Sequence, residues 1–505
     1  MFIRLLPLLF CAGLAFAAPV DADPVITPAP GDAPASTPVG GKLDPMLEKA
    51  KNVLDGVESV PARDDTLPAA PADALELDAK RCVELALSQN PKAGQADAAV
   101  DERAAQVGAA KSARLPQVKA TAGANYTPGL QTDIGIPKIL ESLVPIGSFM
   151  PDKLTASAGV GVEQVLYAGG TIKAGIRASE FLARSEEWKR RAVLLDLAFE
   201  ARQAFFDAAA ARGLVAVAQD SISAYERHLT DAKTKLEQGM ASKFEVLRAE
   251  TELRARESDL ESALTAEKLT MLNLRRLLAL PGDQPVRLIG DFIWDPLNVA
   301  VDTLVAEARQ ARPELAALDA AVAAAGENVA MKEGAFRPRA AAKAGYQVLQ
   351  GSGQMMPDGL NVSVGAEWSI YAGGRRKADV AVAKAQLRSL ELQRADVDKL
   401  VEIDVRQAYD RANDAIARIR KDKAARALGV EGMELAELRF QQGAGIQADT
   451  LDAELALSTA ETSLVQSLRV YAVALAGIDR AVGRPPLGAE GVVGPEPSKS
   501  ENPAK

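Results

Sequence analysis

The sequence predicts a mostly α-helical chain that also carries the strands of a transmembrane β-barrel. Two long coiled-coil hairpins, one a duplicate of the other, are joined by four strands. Three observations carry that prediction. First, Tyr167-Ala168-Gly169-Gly170 returns 204 positions later as Tyr371-Ala372-Gly373-Gly374. Gln238-Gly239 returns at the same shift as Gln442-Gly443, and Pro281 as Pro485. Pro91 and Pro116 match Pro313 and Pro338, with equal spacing in both copies. Turn residues kept in register over such a span mark one supersecondary unit written twice. Second, Ala and Leu dominate with Glu, Lys and Arg while aromatics are only 4%, a composition of long helices. Third, four segments of about ten residues alternate apolar with polar or glycine residues.

Residues 1–17 read as a secretory signal: Arg4, the apolar run Leu5 to Phe16, and the small-x-small site Ala15-Phe16-Ala17. Phe10 stands where a lipid-anchor signal needs a small residue, which argues against an anchor at Cys11. Cleavage leaves Cys82 as the single cysteine, so no intrachain disulfide forms. His228 is the only histidine, which leaves no material for a histidine metal site or a Ser/His/Asp triad. The mature chain has no apolar run long enough for a spanning helix. A net charge of −9 argues against a nucleic-acid partner. No catalytic residue and no cofactor is expected.

Segments 18–75 and 486–505 are rich in Pro, Ala, Asp and Gly, and read as disordered tails; a short helix is expected near Met46 to Val57. Repeat 1 spans 76–281 and repeat 2 spans 301–485, joined by a linker at 282–300. Each opens with a helix, Asp78–Arg114 or Val301–Arg337, split near its start by an internal proline. A strand pair follows. Then comes a proline-free helix from Thr171 to Leu236, or Arg375 to Phe440, roughly 100 Å long at 1.5 Å per residue. Gly239 or Gly443 breaks it as a C-terminal cap. A return helix runs to Leu278 or Val482 before Pro281 or Pro485.

Ile222, Tyr225, Leu229, Ala232 and Leu236 step by three and four, the seam of a supercoiled helix. Leu247, Leu253, Leu260 and Leu264 face them from the return helix, and Leu451, Leu457, Leu464 and Leu468 do so in the second copy. These leucines are read as packing between the arms of each hairpin. The strands are centred on Ala120 to Tyr126, Ala156 to Val162, Ala342 to Val348 and Leu360 to Ile370. Four strands cannot close a barrel, and open edges are not tolerated in lipid. Two chains would give a filled barrel of eight strands; three would give twelve strands and a water-filled lumen.

The junctions Gln164-Val165-Leu166-Tyr167-Ala168-Gly169-Gly170 and Trp368-Ser369-Ile370-Tyr371-Ala372-Gly373-Gly374, with the two glycine tips, resemble the TolC-like family of outer-membrane efflux and secretion channels. The resemblance covers about residues 75–485. It implies a homotrimer sharing a twelve-stranded barrel in outer-membrane lipid, continued by a helical tunnel through the periplasm. It implies a non-enzymatic exit channel of a tripartite efflux or type I secretion system, powered by an inner-membrane transporter and docked by a periplasmic adaptor protein. Leu236, Gly239, Phe440 and Gly443 would be the docking tips. Asp449 and Asp452, three apart on one helix face, would line a periplasmic gate, with Glu245 the acidic match in the first copy. Where close relatives carry an Arg two residues past the second tip glycine, this chain has Gly445, so a salt-bridge lock is not expected there. The hairpin between Pro116 and Tyr167, about 18 residues longer than the second, would be an extracellular loop.

Two other readings stay open at this level. One is the periplasmic adaptor itself, also built of coiled-coil hairpins. The other is a hydrolase using Asp449/Asp452 or Glu250/Glu257, and carboxylate pairs alone are weak site signals. The acids beyond the tips also have a plain reading, since an acid in a helix's first turn favours the macrodipole.

Overall fold

The computed structural model describes residues 74–126, 154–282, 284–290, 292, 297, 299–351, 354–355 and 359–484. The signal segment, nearly all of segment 18–75, the distal part of the first hairpin with Pro128, Pro137 and Pro145, and the tail with Pro485 lie outside those residues. In chain order, the first repeat comprises β1 (Leu75–Leu77), α1 (Ala79–Gln89), α2 (Pro91–Ser112), β2 (Gln117–Tyr126), β3 (Leu154–Tyr167), α3 (Thr171–Glu237) and α4 (Lys243–Leu277). The linker carries β4 (Val286–Leu288), and the second repeat comprises α5 (Val301–Ala311), α6 (Pro313–Gly334), β5 (Arg339–Gly351), β6 (Gln354–Met355), β7 (Gly359–Glu367), α7 (Arg375–Gln441) and α8 (Gln447–Val482).

Pro91 and Pro313 split the opening helices because a residue before proline is pushed to extended geometry, as Asn90 and Arg312 are. Both spacers are tied down alike. Asn90 Nδ2 donates to the Leu277 carbonyl (2.7 Å), and Arg312 Nε donates to the Ala481 carbonyl (2.8 Å). α3 and α7 each hold 67 residues, about 100 Å of helix. Both start behind a left-handed glycine, Gly170 or Gly374. Each packs against its return helix, α4 or α8, and α8 also packs against α3.

The duplication is legible in side-chain detail. First-helix positions in the two copies differ by 222, as in Pro91 and Pro313, and long-helix positions by 204. Cys82, Val83 and Ala86 occupy in the first core the places of Leu304, Val305 and Ala308 in the second. Leu197, Ala201 and Ala208 answer to Val401, Val405 and Ala412 in the same way. Cys82 is therefore a core residue, and burial pushes its thiol up to about 12. Arg190 pairs with Asp97 across α3 and α2, and Arg394 with Asp319 across α7 and α6 (3.0 Å). Lys111–Glu180 (3.0 Å) returns with its charges exchanged as Glu333–Lys384 (3.1 Å). The strand registers agree as well. Gln117 pairs Glu163 in one hairpin, and Arg339 pairs Glu367 in the other.

One contact is not repeated. α3 packs on two opening helices, α2 and α6, whereas within this chain α7 packs on α6 alone of those two. Ser185 on α3 is buried and donates to the Ala317 carbonyl of α6 (2.8 Å). Its counterpart Ser389 on α7 is exposed. Gly169 (φ +65°) lies against Gly334 so closely that a Cβ would stand 2.3 Å from the Gly334 carbonyl oxygen. Gly373 (φ +59°) has the same backbone and nothing within 4 Å of where a Cβ would be.

Three expectations need correction. The fourth strand ends at Glu367, not Ile370, because Trp368 to Tyr371 find no partner strand within the chain. β1 and β4 form a parallel pair at the edge of the expected N-terminal tail and inside the linker; three residues each are too few to show a period. Leu247 is 52% exposed and holds no hairpin seam. The seam runs through Ala249 and Leu253, four apart, and a residue two before Ala249 falls on the far side of a helix of 3.6 residues per turn.

Gly169→Ala is expected to lower the melting temperature of the detergent-solubilised protein by several degrees, because it adds a left-handed alanine at about 1–2 kcal/mol and a backbone clash. Gly108→Ala, at an open helical position where the second copy already has Ala330, should instead raise stability by about 0.5–1 kcal/mol. Thermal melting followed by helical circular dichroism distinguishes the two.

Candidate functional site

The sheet and the two hairpin tips are the features that packing within one chain leaves open. In the sheet, β2, β3, β5 and β7 lie side by side and antiparallel, with β6 beside β5. The register stacks like on like. Val118, Val162, Ala344 and Val362 form one row across four strands, and Ala120, Val160, Tyr346 and Leu360 the next. The opposite face carries glycine and polar residues: Lys119, Gly161, Gly345 and Asn361 in one row, Gln117, Glu163, Lys343 and Ser363 in another. Lys343 and Glu163 form an ion pair on that face (3.8 Å). The apolar face is bare: Leu360, Val362 and Val364 are 69–74% exposed. In water such a face would be an aggregation hazard, and in hydrocarbon it is at home. β2 and β7 both present open edges.

At the tips, Gly239 (φ +73°) and Gly443 (φ +71°) reverse the chain. Their left-handed geometry lets Met240 N–H reach the Lys235 carbonyl (2.8 Å) and Ala444 N–H the Arg439 carbonyl (2.9 Å). The two tips touch. Lys235 Nζ sits 3.1 Å from the Phe440 ring centroid and donates to the Phe440 carbonyl (3.4 Å). Further up, Tyr225 Oη donates to the Leu451 carbonyl (3.3 Å), and Gln447 Nε2 to the His228 carbonyl (3.5 Å).

The sequence-named acids differ in their surroundings. Glu245 is half-buried and completes a capping box: its carboxylate accepts from Ser242 N–H (2.6 Å), while its own N–H donates to Ser242 Oγ (3.4 Å). Asp449 makes only half of one, accepting from Ile446 N–H (3.4 Å), since isoleucine has no side-chain acceptor to return the bond. Asp449 and Asp452 are both exposed, on one face of α8; Glu245 belongs to the other tip. A Cβ on Gly445 would lie 3.2 Å from Arg439 Cβ, so the second tip is closed up around that glycine. Leu236 is on the border of exposure, and Phe440 is half-buried under Lys235.

Sequence reasoning missed the exposed apolar residues around them. Met240, Phe244 and Ile446 all project from the tips. Their signal was present: large apolar side chains in or just after a glycine turn, where solvated polar residues are the rule. His228, the single histidine, is buried, with Nε2 lacking a hydrogen-bond partner. Burial lowers its pKa, against the nearby charges of Glu437 and Asp231.

A lipid-facing sheet above glycine-tipped helical hairpins defines a channel protein of the bacterial outer membrane. The sequence matches the outer membrane efflux protein family over residues 82–280 and 304–484, and the chain belongs to that family. It is 26% identical over 340 residues to outer membrane efflux protein BepC of Brucella suis biovar 1 (strain 1330), covering 66% of this chain and 73% of BepC. Its fold is that of CusC, at TM-score 0.68 and 18% identity, covering 84% of this chain and 96% of CusC. The Campylobacter jejuni CmeC outer membrane channel superposes with TM-score 0.68 at 16% identity, covering 80% and 85%. The protein is thus an outer-membrane exit channel that extends into the periplasm, and the adaptor reading falls. Family and fold are those of channel proteins rather than of a hydrolase.

A buried histidine of lowered pKa stays neutral in the fold while the unfolded chain takes a proton near pH 6.5, so its contribution to stability is lost as pH falls below that value. Relative to the native protein, His228→Asn should therefore gain thermal stability as pH is lowered from about 7 to about 5. Melting curves of both proteins across that range measure the difference, and a constant gap would remove His228 from the acid response.

Proposed function

We propose that three copies of this chain close one barrel and one tunnel, and that the trimer is the exit duct of a tripartite efflux or type I secretion system. The observation that carries this reading is the contact made once where the duplication calls for two. α3 is flanked by α2 and α6, with Ser185 buried and Gly169 seated on Gly334. α7, Ser389 and Gly373 have the same sequence features and an empty side. Filling it with α2 of a neighbouring chain repeats the internal contact. The shifts of 204 and 222 convert the β3–β5 register, where Gly161 faces Gly345, into a β7–β2 register between chains. Gly365 then faces Gly123 of the neighbour, and Val364 faces Ala124, keeping the apolar face continuous. Trp368 to Tyr371 gain the partner strand that their counterparts Gln164 to Tyr167 already have. Three chains bring twelve long strands, enough for a water-filled lumen.

A trimer linked only through these seams predicts a specific chemistry. With Gly365→Cys and Gly123→Cys in one chain, oxidation should yield covalent trimers on denaturing, non-reducing gels, because facing residues of an antiparallel pair lie within disulfide reach. The pair Val364→Cys and Gly123→Cys, one residue out of register and on opposite faces, should not. Cys82 is buried and silent. Equal cross-linking of both pairs would refute the register; recovery as a monomer would refute the trimer.

At the periplasmic end, the tips at Leu236, Gly239, Phe440 and Gly443, with their exposed apolar neighbours, dock a periplasmic adaptor that links the duct to an inner-membrane transporter. Asp449 and Asp452 of three chains converge there as an acidic gate, near Glu245. Six carboxylates at a constriction attract multivalent cations. Multivalent cations on the periplasmic side should block conductance in a planar bilayer. Asp449→Ala with Asp452→Ala should weaken the block at least about tenfold, since the attraction scales with charge, and added salt should weaken it through a Debye length of about 8 Å. An unchanged block would return both aspartates to helix-start residues.

A further inference from the structure

Above the tips, α3, α7 and α8 of a single chain line a groove of about 570 Å³, open to solvent, that channel formation does not explain. Four carboxylates line it: Asp220 on α3, Glu437 on α7, and Glu454 and Glu461 on α8. Glu461 is paired with Arg426 (3.0 Å), and Arg227 also borders the space. Glu454 is different. The residue is only 8% exposed, its carboxylate opens on this groove, and among the described residues it accepts no hydrogen bond and faces no cation within 4 Å. A carboxylate largely withdrawn from water and without a partner is favoured by a proton or a cation beside it. Burial, then the charges of Glu461, Asp220 and Glu437, push its carboxyl up against the pull of Arg227. Beside it, the buried Ser221 hydroxyl also has no hydrogen-bond partner. The rest of the wall is an apolar strip of Val217, Ala224, Met433 and Leu457 flanked by Ser223 and Ser458.

We propose that this groove binds an organic polyamine, its ammonium groups on Glu454 and Glu437 and its methylenes along the apolar strip. Two observations favour an amine over a bare metal ion. No group of three metal-ligating side chains among the described residues is placed to hold a metal, and the volume far exceeds that of an ion. The apolar strip of Val217, Ala224, Met433 and Leu457 offers nothing to a hydrated divalent cation and suits an alkyl chain. The duplication supplies an internal control. Glu250 is the counterpart of Glu454 at the 204-residue shift, and it is exposed on α4.

The test is calorimetric titration of spermidine into the detergent-purified, full-length protein, with Glu454→Gln, Glu437→Gln and Glu250→Gln beside it. Saturable binding is expected, weakened about tenfold or more by Glu454→Gln because a charge-assisted bond is lost. Glu437→Gln should weaken it in the same direction, and Glu250→Gln should leave it unchanged. Should Glu454→Gln fail to fold, Glu437→Gln decides, because Glu437 is exposed and its loss removes no packing. No saturable binding, equal binding in the Glu454 and Glu437 variants, or equal weakening by Glu250→Gln would overturn the proposal. Displacement of spermidine by an equal concentration of magnesium would assign the groove to inorganic cations and overturn the amine.

Discussion

Backbone N–H and C=O groups have no water to bond in hydrocarbon, and that constraint governs the rest of this protein. Its sheet has an apolar face that only lipid suits, yet β2 and β7 leave two rows of backbone groups unpaired. One chain cannot be the finished object. The helices inherit the demand. α3 and α7 follow strands β3 and β7 through a two-glycine junction, so whatever closes the sheet also sets which helices stand side by side. The glycines matter here because both sit at positive φ, where side chains are strained, and because Gly169 lies almost in contact with Gly334.

Close helix approach is the second layer of the same logic. The buried faces are built from alanine at the points of contact: Ala198, Ala201, Ala204 and Ala208 on α3, and Ala408, Ala412 and Ala415 on α7. Small residues let axes come together without large interlocking side chains, and each alanine surrenders no rotamer entropy. Such a wall is thin, with little aromatic core, as the 4% aromatic content already implied. Where bulk is needed, single large residues do the work. Tyr225 fills the space between α4 and α8 by packing on Leu253 and Leu451.

What could be read without coordinates was what leaves a local mark. Prolines at 91 and 313 and glycines at 239 and 443 act within a turn, so the helix ends were legible to within a residue or two. Strand alternation is equally local, and the apolar rows from Val118 to Leu360 follow from it. The misses are non-local. Trp368 to Tyr371 continue the alternation, but a strand is defined by its partner, and the chain has none there. β1 and β4 pair across more than two hundred residues with three residues each, below any period. At the tips, the named glycines and acids were legible as turn and helix-start chemistry. The exposure of Met240 and Phe244, and the Lys235–Phe440 contact between tips, depend on how the two hairpins meet.

Duplication gives one sequence pattern two environments, and the differences between copies are informative for that reason. Lys111–Glu180 and Glu333–Lys384 keep the position of an ion pair while exchanging its sign, so the site requires opposite charge at that height and nothing more specific. Ser185 and Ser389 keep the residue while one is buried and the other bare, which marks a surface awaiting the same contact. Glu250 and Glu454 also keep the residue, and neither has a hydrogen-bond or ion-pair partner, but only Glu454 is buried. A serine left bare is satisfied by water, whereas a carboxylate with little exposure and no partner is satisfied less well. In the proposed trimer a second copy of the chain accounts for the first difference. The second is met, in the proposed site, by a cation that this chain does not provide.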